Sequence, residues 1–282
     1  MALLIELSPK LVIDFEDQKS SREVLLRSGD LYKILNKYNQ DNNIYLAAGS
    51  NIGEEIKTIL LNRGSNVKHI KIKDGAKIEV RINYGHNPII RSEADHKLTF
   101  DDNMEIKKNF VSSLFKEDLM VLPVYDLERE FALEFLRKAN EYHKDSIIFG
   151  DRVISSLSEN PTVAIIDEEA VIDFAPFKIV SEYELINFSY SLCEGKNTKL
   201  LLTTNFGLLF YDGDTCLQYD LTSYNIDMIY FAYTFALENK MNSKDIPKFV
   251  VAASQVEPGT KIGEIMSLAK TFKGSVLHRW LS

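Results

Sequence analysis

Short apolar segments that alternate with longer helical patterns constrain the fold of this chain more than any other feature. The segments with the composition of buried strands are 119–124, 146–149, 163–166 and 199–204. Apolar residues at helical spacing lie between them, at 104–114, 127–142 and 182–193. Buried strands separated by helices predict a mostly parallel sheet covered by helices on both faces, which is an α/β fold.

Three segments indicate a second, smaller sheet. Residues 77–84 and 88–91 alternate between polar and apolar side chains, so that one face of each strand contacts water or covers another surface. Residues 11–15 form another short strand pattern. We expect these three segments to form a small β-sheet apart from the main body.

Elsewhere the spacing of apolar residues predicts a helix over 24–38, and 171–172 resemble a short strand.

The composition argues against several classes of function. The 282 residues carry a formal net charge of -8, which argues against a nucleic-acid surface and provides no basic patch for a membrane. No apolar run approaches the length of a membrane span. The two cysteines and five histidines show no metal-ligand spacing, so a zinc site is not expected. The cysteine usage favours a reduced, cytoplasmic location.

The C-terminal third contains a distinctive order of elements. Strand patterns at 199–204, 206–211 and 216–219 precede Asp227, which opens a helical segment at 228–237 that is apolar nearly all round and therefore buried. This order resembles the nucleotide-binding end of PfkB/ribokinase-family carbohydrate kinases. The segment 44–82 and the tail around Pro258-Gly259-Thr260 are similar to the phosphosugar branch, the 1-phosphofructokinases and tagatose-6-phosphate kinases.

The resemblance implies a specific architecture and chemistry. It implies one Rossmann-like kinase domain over 1–282, with a β-sheet lid formed by about 8–16 and 76–98, and a homodimer assembled through the lid. It also implies ATP and Mg²⁺ as cofactors and a phosphorylated sugar as substrate.

Asp227 stands where the family has its catalytic base. In the family the helix opens with Gly-x-Gly-Asp, and the Asp deprotonates the sugar hydroxyl; here Tyr224 and Ile226 replace the two glycines. The glycine amides create an anion hole, and a β-branched residue does not adopt the same backbone cheaply. The alternative is structural: Asp227 lies in the first turn of a helix, where an acid is favourable, and Asn225 caps that helix.

The substrate-side motifs are altered. Asp14 lies two residues beyond Val12, which occupies the position of the family's sugar-binding Asp, and two residues on a strand share a face. Gly29 is the one glycine left of a Gly-Gly-Lys-Gly loop, and Lys77 replaces an Arg that grips phosphate. These residues are the candidates for substrate binding; for Asp14 the alternative is a surface acid on an edge strand.

The cofactor-side motifs are also incomplete. Glu184 matches the Glu of an Asn-x-x-Glu motif that organises Mg²⁺, but Ser181 replaces the Asn, and Ser-x-x-Glu is also a helix-capping box. Thr203, Asn205 and Gly207 occupy the nucleotide strand, where Gly207 suits either packing against adenosine or a twist in the strand. Together with Glu184 and Asn225, they are the candidates for cofactor binding that the resemblance implies.

Two functional hypotheses follow. In the first, the chain is a degenerate phosphosugar-kinase homologue with little or no phosphotransfer, which acts by binding a ligand or partner. In the second, it is an active kinase that uses Asp227 as base, Glu184 with Mg²⁺, and ATP as donor.

Overall fold

The computed structural model describes residues 1–16, 19–73, 77–84, 87–92, 98–125, 129–213 and 215–277. The chain divides into two compact units, Met1–Glu117 and Asp118–Ser282. Parts of the predicted lid segment 76–98 lie outside the described residues, and its limits stay a prediction.

The first unit contains a parallel sheet, a small sheet and three helices among its described residues. Its elements are β1 (Ala2–Glu6), β2 (Lys10–Glu16), β3 (Lys19–Leu25), α1 (Leu31–Lys37), β4 (Asn42–Gly49), α2 (Ser50–Asn62), β5 (Asn66–Ile72), β6 (Lys77–Tyr84), β7 (Asn87–Ser92) and α3 (Phe100–Leu114). Strands β1, β4 and β5 pair in parallel in that order. Strands β3, β2, β6 and β7 form the small sheet.

The second unit is built on a sheet in the order β14-β13-β12-β11-β10-β9-β8. Strands β8 to β11 are parallel, and β11 to β14 are antiparallel. The elements are β8 (Leu119–Pro123), α4 (Arg129–Glu141), β9 (Asp145–Phe149), a 3₁₀ helix (Val153–Glu159), β10 (Val163–Asp167), α5 (Glu168–Phe174), α6 (Glu182–Cys193), β11 (Lys199–Thr204), β12 (Gly207–Asp212), β13 (Thr215–Asp220), α7 (Ile226–Glu238), α8 (Ile246–Ser254), α9 (Ile262–Ala269) and β14 (Ser275–Leu277).

The predicted α/β fold is confirmed. Both units alternate strands with helices, and the strands of the parallel sheets other than β5 are buried along most of their length, because helices cover sheets of this kind. No helix in the described ranges is long and apolar enough to cross a membrane.

Two predicted elements are wrong. The segment 24–38 is not one helix: Val24 pairs with Leu11 in the small sheet, and α1 begins only at Leu31, after a turn in which Gly29 has φ of +61°. The segment 171–172 is helical because Asp167 caps α5, its side chain accepting a hydrogen bond from the backbone N–H of Ala170.

The two faces of the small sheet differ: one carries a row of apolar side chains, and the other, called the polar face, carries charged pairs beside Val12 and Ile90. Phe15 pairs with Ile82, and Ile82 pairs with Ile89, so the three side chains share a face. The opposite face carries Glu79, whose carboxylate accepts hydrogen bonds from Lys10 and Arg81. This alternation is the pattern that the sequence predicts for 77–84 and 88–91.

Gly207 closes the β11–β12 hairpin, where it pairs with Thr204, and its backbone lies against β13. Its φ is +147°, and a Cβ atom at this position would lie 2.1 Å from the backbone oxygen of Tyr219. The hydroxyl of Thr204 accepts a hydrogen bond from the Gly207 N–H at 3.0 Å. Gly207 therefore has a structural role in the hairpin, which matches the alternative of a twisted strand.

We expect the substitution Gly207→Ala to lower the free energy of unfolding by about 2–4 kcal/mol, because the new methyl group collides with backbone rather than with a flexible side chain. Gly213→Ala is the matched control: its φ is +63°, and nothing lies within 4 Å of its Cβ position. That control should cost about 1 kcal/mol from backbone strain alone. Urea unfolding of both variants measures the difference, and equal costs would contradict the packing role.

Candidate functional site

Helix α7 begins where the sequence predicts its cap. Asn225 has an extended backbone, and its side-chain oxygen accepts a hydrogen bond from the N–H of Met228 at 3.2 Å. Asp227 lies in the first turn, and the next residues, beginning with Met228 and Ile229, are buried. The capping role that was predicted for Asn225 is therefore confirmed.

The segment before α7 is fixed to the end of α8. The N–H of Asn225 donates to the carbonyl oxygen of Ser254 at 2.9 Å, and the side-chain amide of Gln255 donates to the carbonyl oxygen of Ser223 at 2.7 Å. Two backbone N–H groups near this helix terminus, those of Asn225 and Met228, are thus already bound to acceptors of the chain itself.

A cavity of about 240 Å³ lies beside the start of α7, at the carboxyl ends of the parallel strands. Ligands of doubly wound sheets bind at this edge, which makes the cavity the candidate functional site. Its polar and aromatic lining consists of Tyr125, Asp151, Asp167, Thr203, Tyr224 and Tyr230. The rest of the lining consists of Gly150, Ile165, Ile166 and Ile226. No lysine or arginine lines this cavity among the residues that the structure describes.

Tyr230 contributes an aromatic ring to the lining of this cavity. Its ring stacks on Phe149, with ring centroids 3.9 Å apart and planes inclined by 17°. Burial raises the pKa of Tyr230 far above its usual range, and the nearby groups Tyr125, Asp227 and Asp167 raise it further. The phenol is therefore neutral at physiological pH, and two carboxylates lie close enough to act on it.

Gly150 allows the cavity wall to form. Its φ is +119°, and a Cβ atom would lie 2.6 Å from the backbone oxygen of Val124. That oxygen also accepts the N–H of Arg152 at 3.1 Å. The turn after β9 therefore passes directly against the end of β8, and Asp151 follows it in the lining of the cavity.

Asp151 and Asp167 are site residues that the sequence prediction missed. Asp151 lies two residues after the end of β9 and Asp167 is the last residue of β10, and an acid in that position was the available signal. Asp167 accepts the Ala170 N–H at 2.6 Å and so both caps α5 and lines the cavity. A spatial site of this kind depends on strand order, which local patterns do not give.

A second cavity of about 420 Å³ shares Asp151 and Asp167 with the first. It adds two arginines, Arg129 and Arg152, and two more acids, Glu169 and Asp173. Four carboxylates against two guanidinium groups leave this neighbouring cavity acidic as well.

Of the three residues predicted on the nucleotide strand, one lines the cavity and the other two make structural contacts. Thr203 lines the 240 Å³ cavity. Asn205 lies in the hairpin turn, where its N–H donates to the carboxylate of Glu168 at 3.1 Å. Gly207 lies at the start of β12, where its backbone packs against the backbone of Tyr219 in β13.

Glu184 does not join the cavity in the described structure. Ser181 caps α6 by accepting the N–H of Glu184 at 3.2 Å, as the capping box predicts. The carboxylate of Glu184 accepts the N–H of Val180 at 2.7 Å, one residue before the position expected for a full capping box. This geometry agrees with the capping alternative for Glu184.

The substrate-side candidates lie in the first unit. Asp14 and Lys77 share the polar face of the small sheet, because Asp14 pairs with Arg81 and Lys77 pairs with Lys10. The two positions are four residues apart along the strands, or ~13 Å.

Gly29 lies in a turn that a buried carboxylate holds. Glu6, which is fully buried, accepts the N–H groups of Arg27 at 2.8 Å and Ser28 at 3.0 Å. The loop that resembles a backbone cradle therefore already has a side-chain acceptor of the chain itself bound to two of its amides.

The residues at the candidate site fit a phosphate chain poorly. The two carboxylates that line the cavity would repel it, and the amides of Asn225 and Met228 are already bound. Mg²⁺ fits this lining better, because proteins commonly hold it through one or two carboxylates while water or substrate provides the other ligands. Asp151 and Asp167 are the carboxylates that line the cavity. Among the described residues, no group of three or more His, Cys, Asp or Glu side chains is placed to hold a metal ion.

We expect Asn225→Ala to lower the free energy of unfolding by about 1 kcal/mol through loss of the cap, whereas Asn225→Asp should retain most of it. Urea denaturation monitored by circular dichroism compares the two. Equal losses would show that the carboxamide acts through something other than the cap.

Comparisons with known proteins identify the fold. No family model matches the chain, and no curated protein matches it. Among solved structures, a provisionally named phosphofructokinase from Staphylococcus aureus matches with a TM-score of 0.77 and 12% identity, covering 99% of both chains. A variant of phosphofructokinase-2 from Escherichia coli matches with a TM-score of 0.75 and 12% identity, covering 95% of this chain and 98% of the other. A possible 1-phosphofructokinase from Thermotoga maritima gives a TM-score of 0.73 at 13% identity, with 98% and 99% covered. The chain has the fold of phosphofructokinases and related sugar kinases.

Proposed function

We propose that this chain is a phosphosugar-kinase homologue of the PfkB type with degenerate motifs and little or no phosphotransfer, which acts by binding a ligand. The fold supports descent from such kinases, although fold alone does not carry an activity. The observation that carries the proposal is that backbone N–H groups suited to hold an anionic substrate are bound to acceptors of the chain itself.

Three separate places support this. In the first unit, Glu6 occupies the amides of Arg27 and Ser28. In the second unit, Ser254 accepts the N–H of Asn225, and Glu168 accepts that of Asn205. An anion would have to displace each internal acceptor, and a buried carboxylate such as Glu6 would then lose its hydrogen bonds.

The charge of the candidate site supports the same proposal. Catalysis of phosphoryl transfer depends on positioning and on positive groups that stabilise the developing charge. The cavity beside α7 presents Asp151 and Asp167, and its described lining includes no basic side chain. Tyr224 and Ile226 also place side chains where the resembling kinases have glycine.

The alternative function is an active ATP-dependent phosphosugar kinase. It is favoured by the position of Asp227 in the first turn of α7, close enough to Tyr230 to raise the pKa of that phenol. In this case Asp227 would accept the proton of a substrate hydroxyl, and Asp151 and Asp167 would hold Mg²⁺. A reduced, cytoplasmic location stays a prediction under either alternative.

We expect the purified chain to transfer phosphate from ATP·Mg²⁺ to fructose 6-phosphate, fructose 1-phosphate or tagatose 6-phosphate at less than about 1 per second, the low end for enzymes. Millimolar ATP·Mg²⁺ should also shift the melting temperature little, because stabilisation follows the ratio of ligand concentration to Kd. A coupled assay and a thermal melt measure the two quantities.

Asp227→Asn distinguishes the alternatives. If Asp227 only complements the helix dipole, this change costs under about 1 kcal/mol of stability and alters no activity. Turnover above that threshold in the wild type, abolished in Asp227→Asn while the fold is intact, would establish the active kinase instead.

We also propose a homodimer assembled through the small sheet. Its apolar face includes Phe15, with 43% of its surface exposed, and Ile89, with 52%. Exposed apolar side chains in a contiguous row are a common mark of a protein interface, and isolated sheets of this size gain stability from covering such a face.

Light scattering at micromolar concentration should therefore give the mass of a dimer. Ile89→Lys should dissociate it, because the charge would be buried in the interface without a partner. Ile90→Lys is the control: Ile90 is 57% exposed on the opposite face, and this variant should remain dimeric. A monomeric wild type, or equal effects of the two substitutions, would refute assembly through this face.

A further inference from the structure

The 240 Å³ cavity beside α7 has the chemistry of a site for positive charge. Three tyrosines, Tyr125, Tyr224 and Tyr230, line it together with two carboxylates, those of Asp151 and Asp167. The face of an aromatic ring attracts a cation, and a carboxylate adds direct charge pairing. The two kinds of group therefore favour the same class of ligand.

The apolar part of the lining favours an organic cation over an inorganic one. Three isoleucines, among them Ile226, complete most of the wall. A strongly hydrated inorganic cation needs oxygen ligands in place of its water shell, whereas aromatic and aliphatic walls suit a weakly hydrated organic cation. The volume lies below the usual range for drug-sized ligands, so the ligand is small.

The charged groups around the cavity also favour a cation. The adjoining 420 Å³ cavity contains Arg129 and Arg152, but its four carboxylates outnumber them. Asp227 lies close enough to affect the pKa of Tyr230. A cation that approaches the small cavity therefore passes through a region of negative net charge.

We propose that this cavity binds a small organic cation that carries an alkylammonium or quaternary ammonium group. The ammonium group lies against the tyrosine rings and is paired with Asp167 or Asp151. This proposal rests on the proposed function and gives the binding role a ligand class opposite in charge to a phosphosugar.

Calorimetric titration of the full chain with choline tests the proposal. The neutral isostere 3,3-dimethyl-1-butanol has the same shape without the charge, and butylamine provides a primary ammonium group. At constant ionic strength maintained with KCl, choline or butylamine should bind at least about tenfold more tightly than the isostere, the factor that 1.4 kcal/mol represents.

Asp167→Asn should weaken binding of the cation about tenfold while leaving the fold intact, because Asn is as good a helix cap as Asp. Glu169→Gln is the matched control, since it removes the same charge from the neighbouring cavity only. Tyr224→Phe should retain binding and Tyr224→Leu should lose it, because the phenyl face attracts a cation and an aliphatic side chain does not.

Three outcomes would overturn the proposal: equal binding of choline, butylamine and the isostere; no binding of either cation at millimolar concentration; or equal effects of Asp167→Asn and Glu169→Gln. The failure of this inference is distinguishable from that of the proposed function. A chain that binds choline and also transfers phosphate refutes only the proposed function, whereas one that does neither refutes only the ligand assigned here.

Discussion

The chemistry of this molecule depends on hydrogen bonds between backbone N–H groups at the ends of its strands and helices and acceptor groups of the chain itself. Wherever a strand ends or a helix begins, N–H groups are left without partners in their own element and must find others. Here Glu6 holds the turn at Arg27 and Ser28, and Asn225 closes the start of α7. The same hydrogen bonds that define these elements remove donors from any ligand.

This arrangement explains how the fold is retained while the site changes in charge. The core of the second unit lies in buried strands and in α7, where side chains such as Phe231 and Ile229 contact other apolar groups. These contacts do not depend on the residues that follow the strands. Carboxylates at positions 151 and 167 therefore change the electrostatics of the cavity without disturbing packing, and Asp167 even stabilises α5 through its cap.

Local patterns were sufficient where one segment determined its own structure. The apolar strands, the cap at Asn225 and the alternating strands of the small sheet all follow from neighbouring residues. Strand β3 was missed because residues 19–22 are exposed and polar, and only the free edge of β2 makes them a strand. The acids Asp151 and Asp167 were missed because they meet only after β9 and β10 pair in parallel, and that order is a property of the whole sheet.

Asp227 illustrates why a single matched residue is weak evidence for an activity. Its position at the start of a buried helix is set by the cap at Asn225 and by the apolar run that follows, both of which would be maintained for stability alone. A base for phosphoryl transfer also needs positive groups around the transferred phosphate. Asp227 lies close enough to Tyr230 to raise the pKa of that phenol, and the described lining of the adjacent cavity contains carboxylates and no basic side chain. The residue remains in place while the field of that cavity favours a cation over a phosphate.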